Sequence, residues 1–176
     1  GSLSRIERVS LASAIIDQVS GRVPVIVAVV EYRPADAAEL CTYAANVGAD
    51  GVMIMPPMFV QPTATQLYEF FSHITGEVDI PILLYDNPYV TGFAVTTSEI
   101  ARMADDGIIC GVKLAGGDLA QIHLVRWRCG AEFRIFYGAD VCALEALLSG
   151  ADGWLAGILN LIPAEGRMLC DAAARG

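Results

Sequence analysis

Six short runs rich in Val and Ile, separated by helix-length amphipathic stretches, constrain this chain more than any other feature. The runs cover residues 23–30, 51–55, 80–85, 108–114, 133–137 and 152–157. They are apolar almost throughout, not alternating, as strands buried on both faces are. The stretches between them span residues 34–47, 63–75, 98–104, 118–129 and 140–149, with 4–19 before the first run and 163–174 after the last. Each stretch carries apolar residues at helical spacing, such as Leu67, Phe70, Phe71 and Ile74. Helix starts are marked by Pro34, Thr63, the Thr96-Thr97-Ser98-Glu99 cluster and Asp118. Helix stops are marked by Gly21, Gly48, Gly76, Gly107, Gly130 and Gly150. Strand starts recur every 19 to 29 residues. Such βα repeats require a parallel sheet covered by helices.

Two architectures meet that requirement, an open doubly wound sheet and a (β/α)₈ barrel, and the barrel normally takes about 250 residues. With 176 residues in one domain and six strands, counting alone favours the open sheet. The composition narrows the function. A hydrophobic fraction of 55% and a charged fraction of 18% are incompatible with intrinsic disorder. The longest apolar run, residues 23–30, is far below the ~20 residues a membrane span needs. A net charge of −9 with no basic cluster speaks against nucleic acid as a partner. Cys41, Cys110, Cys129, Cys142 and Cys170 show no C-x-x-C spacing, and with a polar N-terminus they read as free thiols in a cytoplasmic protein. No metal is expected. His73 and His123 lie on predicted helices without ligand spacing and read as surface or packing residues.

Lys113 is the single lysine among eleven basic residues, and it lies near the C-terminal end of an apolar strand. Burying an ammonium there is costly, and the amine escapes by shedding its proton or by pairing with an acid such as Asp118. An uncharged lysine amine in a dry cavity attacks carbonyls to form a Schiff base. Tyr85 ends the preceding strand, and consecutive strands of a right-handed βα repeat are usually neighbours. Both side chains then project at the end where parallel α/β proteins carry their sites. A phenol beside an amine can shuttle protons during carbinolamine formation. Taken singly, Tyr85 reads first as an aromatic strand terminator, and Lys113 equally as a lysine snorkelling to solvent. Gly116-Gly117 ahead of the Asp118 helix suggests an anion site, but the aspartate repels phosphate and the glycines complete no nucleotide fingerprint.

Several spaced motifs join these two residues. They include Leu3-Ser4-Arg5-Ile6-Glu7-Arg8, Gly21-Arg22-Val23-Pro24-Val25-Ile26 and Gly48-Ala49-Asp50-Gly51. Pro56-Pro57-Met58-Phe59 with Pro62 follows, then Tyr85-Asp86-Asn87-Pro88 with Thr91-Gly92, and Gly111-Val112-Lys113 with Gly117-Asp118. Gly138-Ala139-Asp140 and Gly150-Ala151-Asp152-Gly153-Trp154, with Asn160 and Pro163, complete the series. In this order they resemble the L-S-x-x-E-R, P-P-Y-Y-x-x-P, Y-N-x-P-x-x-T-G and G-(I/V)-K-x-x-x-G-D segments of the dihydrodipicolinate synthase and N-acetylneuraminate lyase family. The resemblance covers nearly the whole chain and implies an α/β fold, a (β/α)₈ TIM barrel. The six strands would be strands three to eight, so that the N-terminal part of the barrel, with its carboxylate-holding hydroxyl residues, is missing.

The resemblance implies a class I lyase with Lys113 as imine-forming nucleophile and Tyr85 as proton relay, acting on pyruvate or a related 2-oxo acid without any cofactor. Leu155, in the last strand, would line the floor of the substrate pocket, and Asn160 either joins it or shapes the following loop. Phe59 stands where the family has a loop tyrosine that reaches a neighbouring active site. Val90 stands where true dihydrodipicolinate synthases carry an arginine for the aldehyde's carboxylate, and a valine offers no such fork. Leu114 replaces a frequent glutamate. These changes favour aldol cleavage, condensation or dehydration of 2-keto-3-deoxy acid substrates over lysine biosynthesis. An inactive binding member of the fold is the rival. The resemblance further implies a homo-oligomer, a dimer or a tetramer built from dimers.

Overall fold

The computed structural model describes residues 3–175. Strands β1 (Ile26–Val29), β2 (Gly51–Ile54), β3 (Ile82–Asp86), β4 (Gly111–Leu114), β5 (Arg134–Tyr137) and β6 (Gly153–Trp154) form one sheet. Its spatial order is β1-β2-β3-β4-β5-β6, and every pairing is parallel. An open doubly wound sheet reverses its strand order at a switch point; this one never does. The sheet is the curled six-stranded portion of a TIM barrel that the motif resemblance implies, and not the open sheet that strand counting alone favours. The count misled because it assumed that a barrel must be complete.

Helices α1 (Arg5–Val19), α2 (Pro34–Asn46), α3 (Ala64–Glu77), α5 (Thr97–Asp105), α6 (Ala120–Cys129), α7 (Ala143–Leu148) and α8 (Pro163–Ala173) accompany the strands. A single-turn α4 (Pro88–Thr91) follows β3, and a 3₁₀ turn spans Gly157–Asn160. Ser4, Thr63 and Thr96 each close a reciprocal capping box, with Glu7, Gln66 and Glu99 respectively. Asp118 sits two residues ahead of α6, where its carboxylate accepts from the Ala120 N–H. Gly76, read as a helix stop, lies inside α3, whereas Gly48, Gly107, Gly130 and Gly150 adopt the positive φ expected beyond a helix end.

The core lies between the sheet and the helices. Register aligns Ile54, Leu84, Val112 and Ile135 in one row across four strands, and all four are fully buried. Ile74, Phe71, Ile100, Met103, Ile122 and Val125 pack against that face from α3, α5 and α6. The opposite face carries Ala28, Met53, Leu83, Gly111 and Arg134 in one row. On this concave face Ala28 and Arg134 are exposed. Among the described residues no helix is long and apolar enough to cross a membrane.

Candidate active site

The next row along the concave face is Tyr85, Lys113, Phe136 and Gly153, on β3, β4, β5 and β6. It lies at the C-terminal ends of the strands, and Tyr85 and Lys113 are direct neighbours in register. Both are half-buried. The Lys113 Nζ lies over the Tyr85 ring, 4.1 Å from its centroid. That contact is a cation–π interaction, worth about 0.5–2 kcal/mol and strongest for an ammonium. Among the described residues no carboxylate lies within 4.0 Å of the amine, and Asp118 is engaged by the backbone of α6 instead. The pairing of lysine with acid does not form. Nor is the amine sealed off from water, since Lys113 is only half-buried on the concave face.

Space for the lysine is made by Gly138, just beyond β5. A Cβ there would fall 2.7 Å from Lys113 Cε and 3.2 Å from the Ala115 Cβ. Gly153 performs a similar service for Phe136, whose ring a Cβ would meet at 3.1 Å. The Tyr85 hydroxyl accepts a hydrogen bond of 2.9 Å from Asn87 Nδ2. Asn87, Gly138 and Phe136 were not singled out by the sequence. Asn87 and Gly138 sit within quoted motifs, but only their distances to Tyr85 and Lys113 give them a place in the site.

The loop after β3 is held from both sides. Asp86 points to the helix layer, is 1% exposed, and accepts from the Val95 N–H at 3.1 Å while its Oδ2 has no partner. Burial raises its carboxyl to about 6; the Val95 N–H and the nearby Gln121 amide, which itself donates to the Val95 carbonyl, oppose the rise, and Glu99 adds to it. Thr91, also buried, donates to the carbonyls of Asn87 and Phe93. Tyr89 donates to the Gly116 carbonyl at 3.2 Å, which ties this loop to the one following Lys113.

The other sequence candidates scatter. Leu155 falls just past β6 and not within it, because that strand ends at Trp154; its N–H still extends the ladder to the Tyr137 carbonyl at 2.8 Å. Alternation from Gly153 gives it the concave side. Phe59 is 88% exposed, with a left-handed φ of 63°. Val90 is exposed on α4. Asn160 donates to the nearby Gly157 carbonyl, which is the loop-shaping role. His73 and His123 are exposed on α3 and α6. A large cavity, about 620 Å³ and lined in part by Thr75, Glu77, Asp79 and Cys110, opens where β3 and β4 begin, away from Lys113.

Fold and site together define a (β/α)-barrel protein with a lone amine stacked on a phenol at the mouth of its strands. The chain belongs to the dihydrodipicolinate synthetase family, whose model matches residues 1–176. It is 34% identical over 176 residues to the 4-hydroxy-tetrahydrodipicolinate synthase of Oleidesulfovibrio alaskensis, covering 99% of this chain and 60% of that relative. The Pseudomonas syringae protein of the same name is 34% identical over 170 residues, covering 97% and 58%. The dihydrodipicolinate synthase of Aquifex aeolicus superposes with a TM-score of 0.95 at 28% identity, covering 99% of this chain and 60% of that structure. A Clostridium difficile protein crystallised with mannosamine, 21% identical, shares the fold with a TM-score of 0.93, covering 98% and 59%. The chain thus spans about 60% of the length of the relatives it matches.

Proposed function

We propose that this chain carries the Schiff-base half of a class I lyase acting on pyruvate or a related 2-oxo acid. The observation that carries the reading is the Lys113 Nζ lying 4.1 Å over the Tyr85 ring, with no carboxylate within salt-bridge reach among the described residues. The nitrogen adds to the ketone carbon, a C–N bond forms, and the carbonyl oxygen takes a proton. The resulting hydroxyl leaves as water as the C=N bond forms. Tyr85 carries protons between nitrogen and oxygen in both steps. Loss of a C3 proton from the protonated imine gives an enamine that adds to an aldehyde, or is generated by cleavage in reverse. Expulsion of a C4 hydroxyl from the same enamine makes the site a dehydratase. The electron sink is the imine itself, so no cofactor is required.

Substrates of the 2-keto-3-deoxy acid type suit Val90 and Phe59, neither of which offers a charged or hydroxyl group to a second carboxylate. The synthase activity in the relatives' names is the second reading. Trapping with borohydride tests the chemistry: pyruvate followed by reduction adds a stable mass to Lys113, and Lys113→Ala abolishes the adduct. An unmodified Lys113 in the unsubstituted chain overturns the lyase and leaves a binding protein. Turnover of a carboxylate-bearing aldehyde in preference to sugar-acid substrates would select the second reading.

A further inference from the structure

Asn87 occupies the N-cap of α4, where asparagine ordinarily accepts from the backbone of the first turn, yet its side chain makes no such bond. It turns back along the chain, and Nδ2 donates to the Tyr85 hydroxyl at 2.9 Å. The backbone from which it turns is unusually fixed. The Asn87 carbonyl accepts from Val90 N at 2.9 Å, Thr91 N at 3.0 Å and the Thr91 hydroxyl at 3.0 Å. The Asp86 carbonyl accepts from Ala115 N at 3.0 Å, and Pro88 limits the torsions that follow. An amide anchored this firmly forgoes a cap for a bond to one phenol.

Resting on the Schiff-base reading above, we infer that Asn87 is a positioning residue for Tyr85. By donating to the phenol oxygen it occupies a lone pair and leaves the phenolic proton as the group available to the reacting carbonyl. In carbinolamine formation that proton passes to the developing alkoxide, and the phenolate is then refilled by the proton the nitrogen loses. Throughout, the amide N–H stays on the phenol oxygen and holds it in one orientation toward the reacting carbonyl.

Single-turnover imine formation with pyruvate, followed by borohydride quench and intact-mass analysis, tests this in the whole chain. Asn87→Val should slow imine formation about tenfold, the worth of one well-placed hydrogen bond, while the final trapped fraction is unchanged. Asn87→Asp, isosteric but unable to donate when ionised, should slow it at least as much. In a Tyr85→Phe background Asn87→Val should have no further effect, a result that a purely structural role would not produce. An unchanged rate in Asn87→Val, or the same tenfold loss without the Tyr85 hydroxyl, overturns the inference while leaving the Lys113 reading intact. Absence of trapping in the unsubstituted chain overturns both.

Discussion

Asp86 follows the candidate relay Tyr85 directly, yet faces the helix layer instead of the concave surface, because side chains alternate along β3. The family motif Y-N-x-P has an asparagine at this position. A carboxylate buried with one oxygen unpartnered is a liability, and its cost depends on pH. The native carboxyl holds its proton up to about 6, the unfolded one only to about 3.8. Between those values the native state binds more protons, so stability falls as pH rises from about 4 to about 6 and then levels off. The full difference is about 3 kcal/mol at 1.36 kcal/mol per pH unit. Asp86→Asn removes the titration. Urea denaturation should show the variant about 3 kcal/mol more stable at pH 7, with little difference left at pH 4; equal stability at both pH values refutes this account. At this scale the sequence was partly legible. Lys113 stood out by being unique, and Tyr85 by ending the preceding strand. Asn87 and Gly138 did not, because their roles consist of distances to side chains on other turns and strands.

The βα units were legible because they are specified locally, by apolar runs, by helix starts such as the Thr63 and Thr96 capping boxes or Pro34, and by glycines beyond α2, α5, α6 and α7. Their edges were less so. The run at residues 108–114 yields a strand only over Gly111–Leu114, and the run at 152–157 a strand of two residues. Ile108 and Ile109 are buried ahead of β4 without belonging to it, and single ladder bonds from Cys110 and Leu155 continue beyond the two strands. Gly111 shows how tight the ladder is. A Cβ there would lie 2.5 Å from the Arg134 carbonyl oxygen and 2.9 Å from Leu83 Cδ1. Gly111→Ala should therefore cost about 2–3 kcal/mol in urea unfolding. Gly76→Ala, inside α3 with no atom within 4 Å of the new methyl, should stabilise by about 0.5–1 kcal/mol. The same sign for both changes would contradict this packing.

Over the whole molecule, large apolar side chains remain in water. Val141, Leu148, Leu161 and Met168 are all more than half exposed around α7 and α8, and Val23 and Ile26 are exposed at the β1 edge. Exposure on this scale favours association. We expect sedimentation velocity to show species above the 18.7 kDa chain mass as concentration rises. Val141→Asp with Leu161→Asp should weaken that association, and a monomer at every concentration would refute it. Periodicity alone determined that this chain is a parallel α/β protein, since the spacing of apolar residues decides locally which segments are strand and which helix. It also marked Lys113 and Tyr85, through residue identity and position within a strand. Periodicity left open which strands adjoin; the motif series pointed to the barrel, and the pairing itself was decided by tertiary structure, because register and curvature are pairwise properties of backbones far apart in sequence. So was the seating of the amine on the phenol ring, which needs two strands brought side by side before either residue can sense the other.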